Sequence, residues 1–112
     1  MSQVTSHILD TSAGKPAQGV KVMLFFFEEN QWVSINGGIT NQDGRITDLV
    51  EENKTLKKGI YKLKFETNEY FKQRSEATFY PFVEIIFEIK DTSHYHVPLL
   101  LNPYGYSTYR GS

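Results

Sequence analysis

Short runs in which apolar and polar residues alternate recur along the chain, each closed by turn-forming residues. A period of two puts successive side chains on opposite faces of an extended strand. Val4 to Leu9 divides in this way, with Val4, Ser6 and Ile8 on one face and Thr5, His7 and Leu9 on the other. Asp10 to Gly19 reads as loop, because it holds Gly14, Pro16 and Gly19 among small polar residues. Val20 to Phe27 follows, with Val20, Val22, Leu24 and Phe26 as one apolar face. Its end is apolar on both faces, which predicts cover on both sides. Gln31 to Thr40 is a third strand, with a kink or bulge expected at Gly37-Gly38.

Asn41-Gln42-Asp43-Gly44 is a turn, with Arg45 directly after it, and Ile46 to Val50 is a short strand. Glu51 to Lys58 is polar loop. Gly59 to Glu66 alternates cleanly, with Tyr61, Leu63 and Phe65 inward and Lys62, Lys64 and Glu66 in water. Thr67-Asn68 offers a cap for a short helix over Glu69 to Arg74. Val83 to Ile89 alternates again. Asp91-Thr92-Ser93 turns into a strand over His94 to Leu101, and Asn102-Pro103-Tyr104-Gly105 joins it to a last strand, Tyr106 to Arg110. The total is seven or eight short strands and one short helix, an all-β antiparallel sandwich or barrel.

Composition narrows this reading. A length of 112 residues fits one domain over 1–112, and 39% hydrophobic with 14% aromatic residues suits a packed core. A domain this small buries a moderate share of its surface, so oligomerisation would be unsurprising. A net charge of -1 and no long basic run argue against nucleic acid as a partner. The absence of cysteine removes disulfides, thiolate catalysis and cysteine-based zinc sites. Met1 to His7 lacks the basic and apolar segments of a secretory signal, and no apolar run is long enough for a bilayer. The expectation is a cytoplasmic protein that does not engage a membrane.

Candidate chemistry lies on the strand faces turned from the core. In His94 to Leu101, the residues Tyr95, Val97, Leu99 and Leu101 form the natural core face, so His94, His96, Pro98 and Leu100 point away from it. His7 lies on the non-core face of its own strand by the same parity. If the two strands share a sheet, His7 and His96 can converge, and imidazole is the natural proton shuttle near neutral pH. His7, His94 and His96 together also have the number of ligands of a catalytic zinc site. Arg45 after the turn can hold carbonyl oxygens and stabilise negative charge developing on one of them. Tyr109 and Ser112 stand at the end of the chain. No nucleophile elbow, phosphate loop, dinucleotide fingerprint or paired-carboxylate pattern occurs.

The terminal Tyr109-Arg110-Gly111-Ser112, with His94-Tyr95-His96-Val97-Pro98-Leu99-Leu100 upstream, resembles the 5-hydroxyisourate hydrolases, the transthyretin-related enzymes of urate breakdown. The likeness covers nearly the whole chain, including Thr40 and the Asp43-Gly44-Arg45 turn. It implies a transthyretin-like two-sheet antiparallel β-sandwich, assembled as a homotetramer with a central channel. It implies a cofactor-free and metal-independent hydrolase that opens a ring amide of a purine-derived small molecule, 5-hydroxyisourate. The product would be 2-oxo-4-hydroxy-4-carboxy-5-ureidoimidazoline, on the way from urate to allantoin. His7 and His96 would be the family's histidine pair, with His96 favoured as the base and His94 outside the catalytic set. Arg45 would bind substrate, Tyr109 would contact it, and Ser112 would lie near the reacting centre with its hydroxyl and terminal carboxylate. Arg110, on the opposite face from Tyr109, would make structural ion pairs. The alternative is a carrier of the same fold that binds small hydrophobic ligands in the tetramer channel, and a third reading is a metal-binding or structural sandwich module.

Overall fold

The computed structural model describes residues 2–112; Met1, the first residue of the N-terminal stretch read above, lies outside them. Nine strands and one helix follow in the order β1 (Val4–Asp10), β2 (Lys15–Pro16), β3 (Lys21–Glu28), β4 (Gln31–Ile39), β5 (Arg45–Ile46), β6 (Gly59–Phe65), α1 (Thr67–Lys72), β7 (Val83–Ile89), β8 (Tyr95–Asn102) and β9 (Gly105–Thr108). One sheet runs β2-β1-β8-β9, with β5 also paired to β1, and the other runs β4-β3-β6-β7. Their inner faces share one core, in which Val4, Ile8, Leu99 and Leu101 of the first sheet join Val22, Leu24, Leu63, Phe65 and Ile89 of the second. Burying such side chains removes apolar surface from water at about 25 cal/mol per Å², the main force holding the sheets together.

The all-β sandwich with one short helix follows from the alternation, and its details differ at points with physical causes. The count of nine exceeds seven or eight because β2 and β5 are two-residue ladders against β1. The pairing is not antiparallel throughout: β1 and β8 run parallel, with Thr5 opposite His96 and His7 opposite Pro98. Period-two patterning fixes faces and carries no direction. The bulge of the second sheet lies where Leu24 faces Asn36 and Phe25 faces Ser34, which leaves Ile35 as the extra residue rather than Gly37-Gly38. The helix starts two residues early, and Glu66 at its N-cap makes no side-chain capping bond, so Thr67-Asn68 does not cap it. Lys62, expected in water, is 8% exposed.

The last strand ends at Thr108 instead of Arg110, and Pro98 accounts for it. The Pro98 carbonyl accepts a bond from the Thr108 hydroxyl at 2.7 Å, and on that same side proline has no N–H to continue the ladder. The chain leaves β8 there and rejoins it at Gly111, whose N–H donates to the His96 carbonyl at 2.8 Å.

Candidate active site

Three local devices bring the chemistry together. The parallel β1–β8 register sets Thr5 beside His96 on the outward face of the first sheet. The turn after Thr40 is held by the Asn41 side chain, which accepts from the N–H groups of Asp43 at 2.9 Å and Arg45 at 3.0 Å. Gly44 closes it at φ +70°, so close to β1 that a Cβ would stand 2.5 Å from the Ile8 carbonyl oxygen. Arg45 is thereby placed directly opposite His7. The final residues are held by Gly111, where a Cβ would lie 2.6 Å from His96 Cδ2 and 3.2 Å from Pro98 Cγ. Glycine is what lets the terminal segment lie against the imidazole.

His7 Nδ1 and His96 Nε2 are 2.8 Å apart, with the rings stacked at 5.0 Å between centroids. The Thr5 hydroxyl is 2.7 Å from His96 Nδ1 and 2.8 Å from His94 Nε2. His94, Thr5, His96 and His7 therefore form one hydrogen-bonded line. His96 is 9% exposed. Burial first, and then the charges of His7, Arg45 and His94, hold its pKa below the ordinary histidine value. Burial and the Arg45 guanidinium do the same to His7. Both rings are therefore neutral proton acceptors at neutral pH.

A cavity of about 490 Å³ is walled by His94, His96, Thr5, Arg45, Glu52 and Ser112 among others. Arg45 is exposed, and its guanidinium makes no hydrogen bond or ion pair with another described residue, which leaves it able to take a ligand's oxygen atoms. His7 stands beside this cavity, joined to it through His96. Tyr109 does not share it. That ring is 56% exposed and lines a separate groove of about 510 Å³ with Ile86, Tyr95 and Thr108. A third hollow, about 530 Å³, is lined by Phe26, Val33, Ile35 and Leu56 and holds no imidazole. Size does not distinguish the three, and chemistry does. Arg110 stacks its guanidinium over the Tyr95 ring at 4.2 Å and donates to Ser93 Oγ at 3.3 Å; after the Ser93 hydrogen bonds, its charge helps to lower the Asp91 pKa, but it forms no close ion pair with a described residue. No group of three or more histidine or acidic side chains arranged to hold a metal ion occurs among the described residues. Four of the six nitrogens of the histidine line are engaged with one another or with Thr5.

Thr5 and Gly111 are the residues that sequence reading passed over. Thr5 shares the outward parity of His7, a signal that was available. The clash at Gly111 needs coordinates to be seen.

Residues 4–111 match the HIUase/Transthyretin family. The chain belongs to that family. It is 46% identical over 114 residues to the 5-hydroxyisourate hydrolase of Mus musculus, covering 99% of this chain and 96% of the mouse protein. Among solved structures it resembles the 5-hydroxyisourate hydrolase of Klebsiella pneumoniae, with a TM-score of 0.86, 38% identity and coverage of 97% of this chain and 98% of that one. It also resembles sea bream transthyretin in complex with thyroxine, with a TM-score of 0.91, 28% identity and coverage of 97% and 94%. Within the HIUase/transthyretin family, then, the backbone fits a hydrolase and a thyroxine-binding protein about equally well, and the fold does not choose between them.

Proposed function

We propose that residues 1–112 act as one 5-hydroxyisourate hydrolase domain, a metal-independent cyclic-amide hydrolase of urate degradation that yields 2-oxo-4-hydroxy-4-carboxy-5-ureidoimidazoline. The observation that carries this reading is the His7–His96 pair, 2.8 Å apart, with Arg45 opposite His7. The mouse and Klebsiella relatives named for this activity match nearly the whole chain. A carrier of hydrophobic ligands has no use for two neutral imidazoles and a guanidinium without a partner among the described residues.

In the mechanism we assign, water attacks a ring carbonyl of the substrate. Both ring nitrogens of His96 are engaged, one by Thr5 and one by His7. We assign the base to His7 rather than His96, because His7 Nε2 makes no hydrogen bond with another described residue. His7 takes the proton from water, and His96 orients it through the bond between its own Nε2 and His7 Nδ1. Arg45 holds the substrate and stabilises the oxyanion formed at the carbonyl. The carbon–nitrogen bond then breaks, and the ring nitrogen takes a proton back from His7. Ser112, in the cavity wall, offers a hydroxyl to substrate or water.

Tyr109 remains a substrate-contacting residue in this reading only through assembly, because in the isolated chain it faces another groove. We propose the homotetramer as that assembly and the cytoplasm as the compartment. No helix among the described residues is long and apolar enough to cross a membrane. The deciding experiment generates 5-hydroxyisourate with urate oxidase and follows its ultraviolet decay with and without the protein. Acceleration above the spontaneous rate, lost roughly 10²–10³-fold in Arg45→Gln, is expected. Decay at the background rate would end the hydrolase reading. Light scattering of the purified chain tests the tetramer.

A further inference from the structure

The histidine pair does not end at His96. Its Nδ1 bonds the Thr5 hydroxyl at 2.7 Å, and the same hydroxyl bonds His94 Nε2 at 2.8 Å. A hydroxyl has one proton to donate. If Thr5 donates to His94, it accepts from His96 Nδ1–H, and His96 Nε2 must then accept from His7 Nδ1–H. His7 Nε2 is left as a bare lone pair, and His94 carries its proton on Nδ1. If Thr5 donates to His96 instead, every link reverses. His7 then holds its proton on Nε2, and His94 Nδ1 is bare. The line has two self-consistent states, and they differ by one proton position at each link. Neither terminal nitrogen, His7 Nε2 or His94 Nδ1, makes a hydrogen bond with another described residue.

We propose that Thr5 and His94 extend the His7–His96 pair into a proton relay, so that a proton accepted at His7 Nε2 is matched by one released at His94 Nδ1. The inference rests on the hydrolase reading and deepens it. During attack, the O–H bond of water breaks and its proton joins His7 Nε2. The His7 Nδ1 proton passes to His96 Nε2, the His96 Nδ1 proton passes to the Thr5 oxygen, and the Thr5 proton passes to His94 Nε2. His94 loses its Nδ1 proton to water in the cavity that it lines. When the carbon–nitrogen bond breaks, the line runs backwards, with a proton entering at His94 and one leaving His7 for the departing nitrogen. No link ends either half-cycle charged, which suits imidazoles packed at 5.0 and 6.2 Å between ring centroids beside a guanidinium. Thr5 and His94 act through His7 and His96, so they are positioning residues. The charged groups around the line are Arg45 on β5, Glu52 in the cavity wall and Arg110, which donates to the His94 carbonyl at 3.4 Å.

The test uses Thr5→Val, which keeps the shape and removes the hydroxyl, Thr5→Ser, which keeps the hydroxyl, and His94→Gln, which can bond Thr5 and cannot ionise. Thr5→Val and His94→Gln should each lower kcat roughly 10–10²-fold, as loss of an orienting partner behind an imidazole does, with KM held within about twofold. Thr5→Ser should restore most of the loss. The double variant Thr5→Val/His94→Gln should be no slower than Thr5→Val, because the two residues act as one line. A Thr5→Val enzyme with undiminished kcat, a Thr5→Ser enzyme as slow as Thr5→Val, or losses that multiply in the double variant would overturn the relay.

A second readout does not need turnover. The chain has 3 histidines, all of them in this line, so ¹⁵N imidazole spectra report it alone. The ¹⁵N shifts of the three imidazoles should report one tautomer set shared along the line, and Thr5→Val should change those of His94 and His96 together. His94 and His96 spectra that Thr5→Val leaves unaltered, with hydrolysis present, remove the relay and leave the hydrolase. A joint change without hydrolysis in the wild type removes the hydrolase and leaves the hydrogen-bonded line.

Discussion

Two polar groups lie buried on the outward faces of the two sheets, and they differ in what surrounds them. Lys62 on β6 is 8% exposed and His96 on β8 is 9% exposed. Lys62 is fully provided for. Its ammonium lies 2.9 Å from the Glu84 carboxylate and 4.5 and 5.0 Å from the Trp32 and Phe25 ring centroids. His96 has no carboxylate. Its partners are another imidazole and a hydroxyl, groups that can each give or take a proton. Burial alone therefore does not mark a site. A buried group whose partners fix its charge is structural, whereas one whose partners share its proton is poised to react.

The largest test of this contrast is His96→Gln. It should cut kcat by roughly 10²–10⁴-fold while the thermal midpoint shifts by only a few degrees, measured by the ultraviolet assay and by calorimetry. A variant that keeps wild-type turnover breaks the comparison. Gly111→Ala comes next. The added methyl forces the terminal segment off His96, and a displacement near 1 Å is worth about 10²-fold in turnover. An unchanged rate would show that the segment's close approach does not matter.

Acid sharpens the comparison further. His7 and His96 have folded pKa values below the unfolded value near 6.5. As pH falls below 6.5, the unfolded chain binds protons that the folded chain refuses, so stability decreases with falling pH until the depressed folded pKa values are passed. Urea midpoints measured from pH 7 to pH 5 should therefore decline, and the slope should shrink in His96→Gln. A flat profile in the wild type contradicts the neutral pair. The smallest effect belongs to Lys62→Met, which puts an apolar chain of similar length in place of the ammonium and leaves the partly exposed Glu84 carboxylate to water. It should leave kcat unaltered and change unfolding stability by no more than about 1.5 kcal/mol.

Much of this was readable from one-dimensional pattern. Parity in β8 put Tyr95, Val97, Leu99 and Leu101 inward and His96 outward, which is where they lie. Parity in β1 gave His7 its face. What parity lacks is direction and partner. It could not show that β1 and β8 run parallel, and that pairing sets Thr5 against His96. It placed Lys62 in water because charge usually goes there, without seeing Glu84 and Trp32 across the sheet. It extended the last strand to Arg110 because the missing N–H of Pro98 matters only once a neighbour is known. The same blindness grouped Tyr109 with the histidines, although the isolated chain sets them in different hollows.

The parallel seam has a price in time. Thr5 and His96 stand 91 positions apart along the chain, so a ribosome extending it at roughly 5–20 residues per second leaves β1 without its main partner for on the order of ten seconds. Every nascent copy passes through that interval with a hydrophobic strand edge uncovered, and reactivity is the last property it acquires.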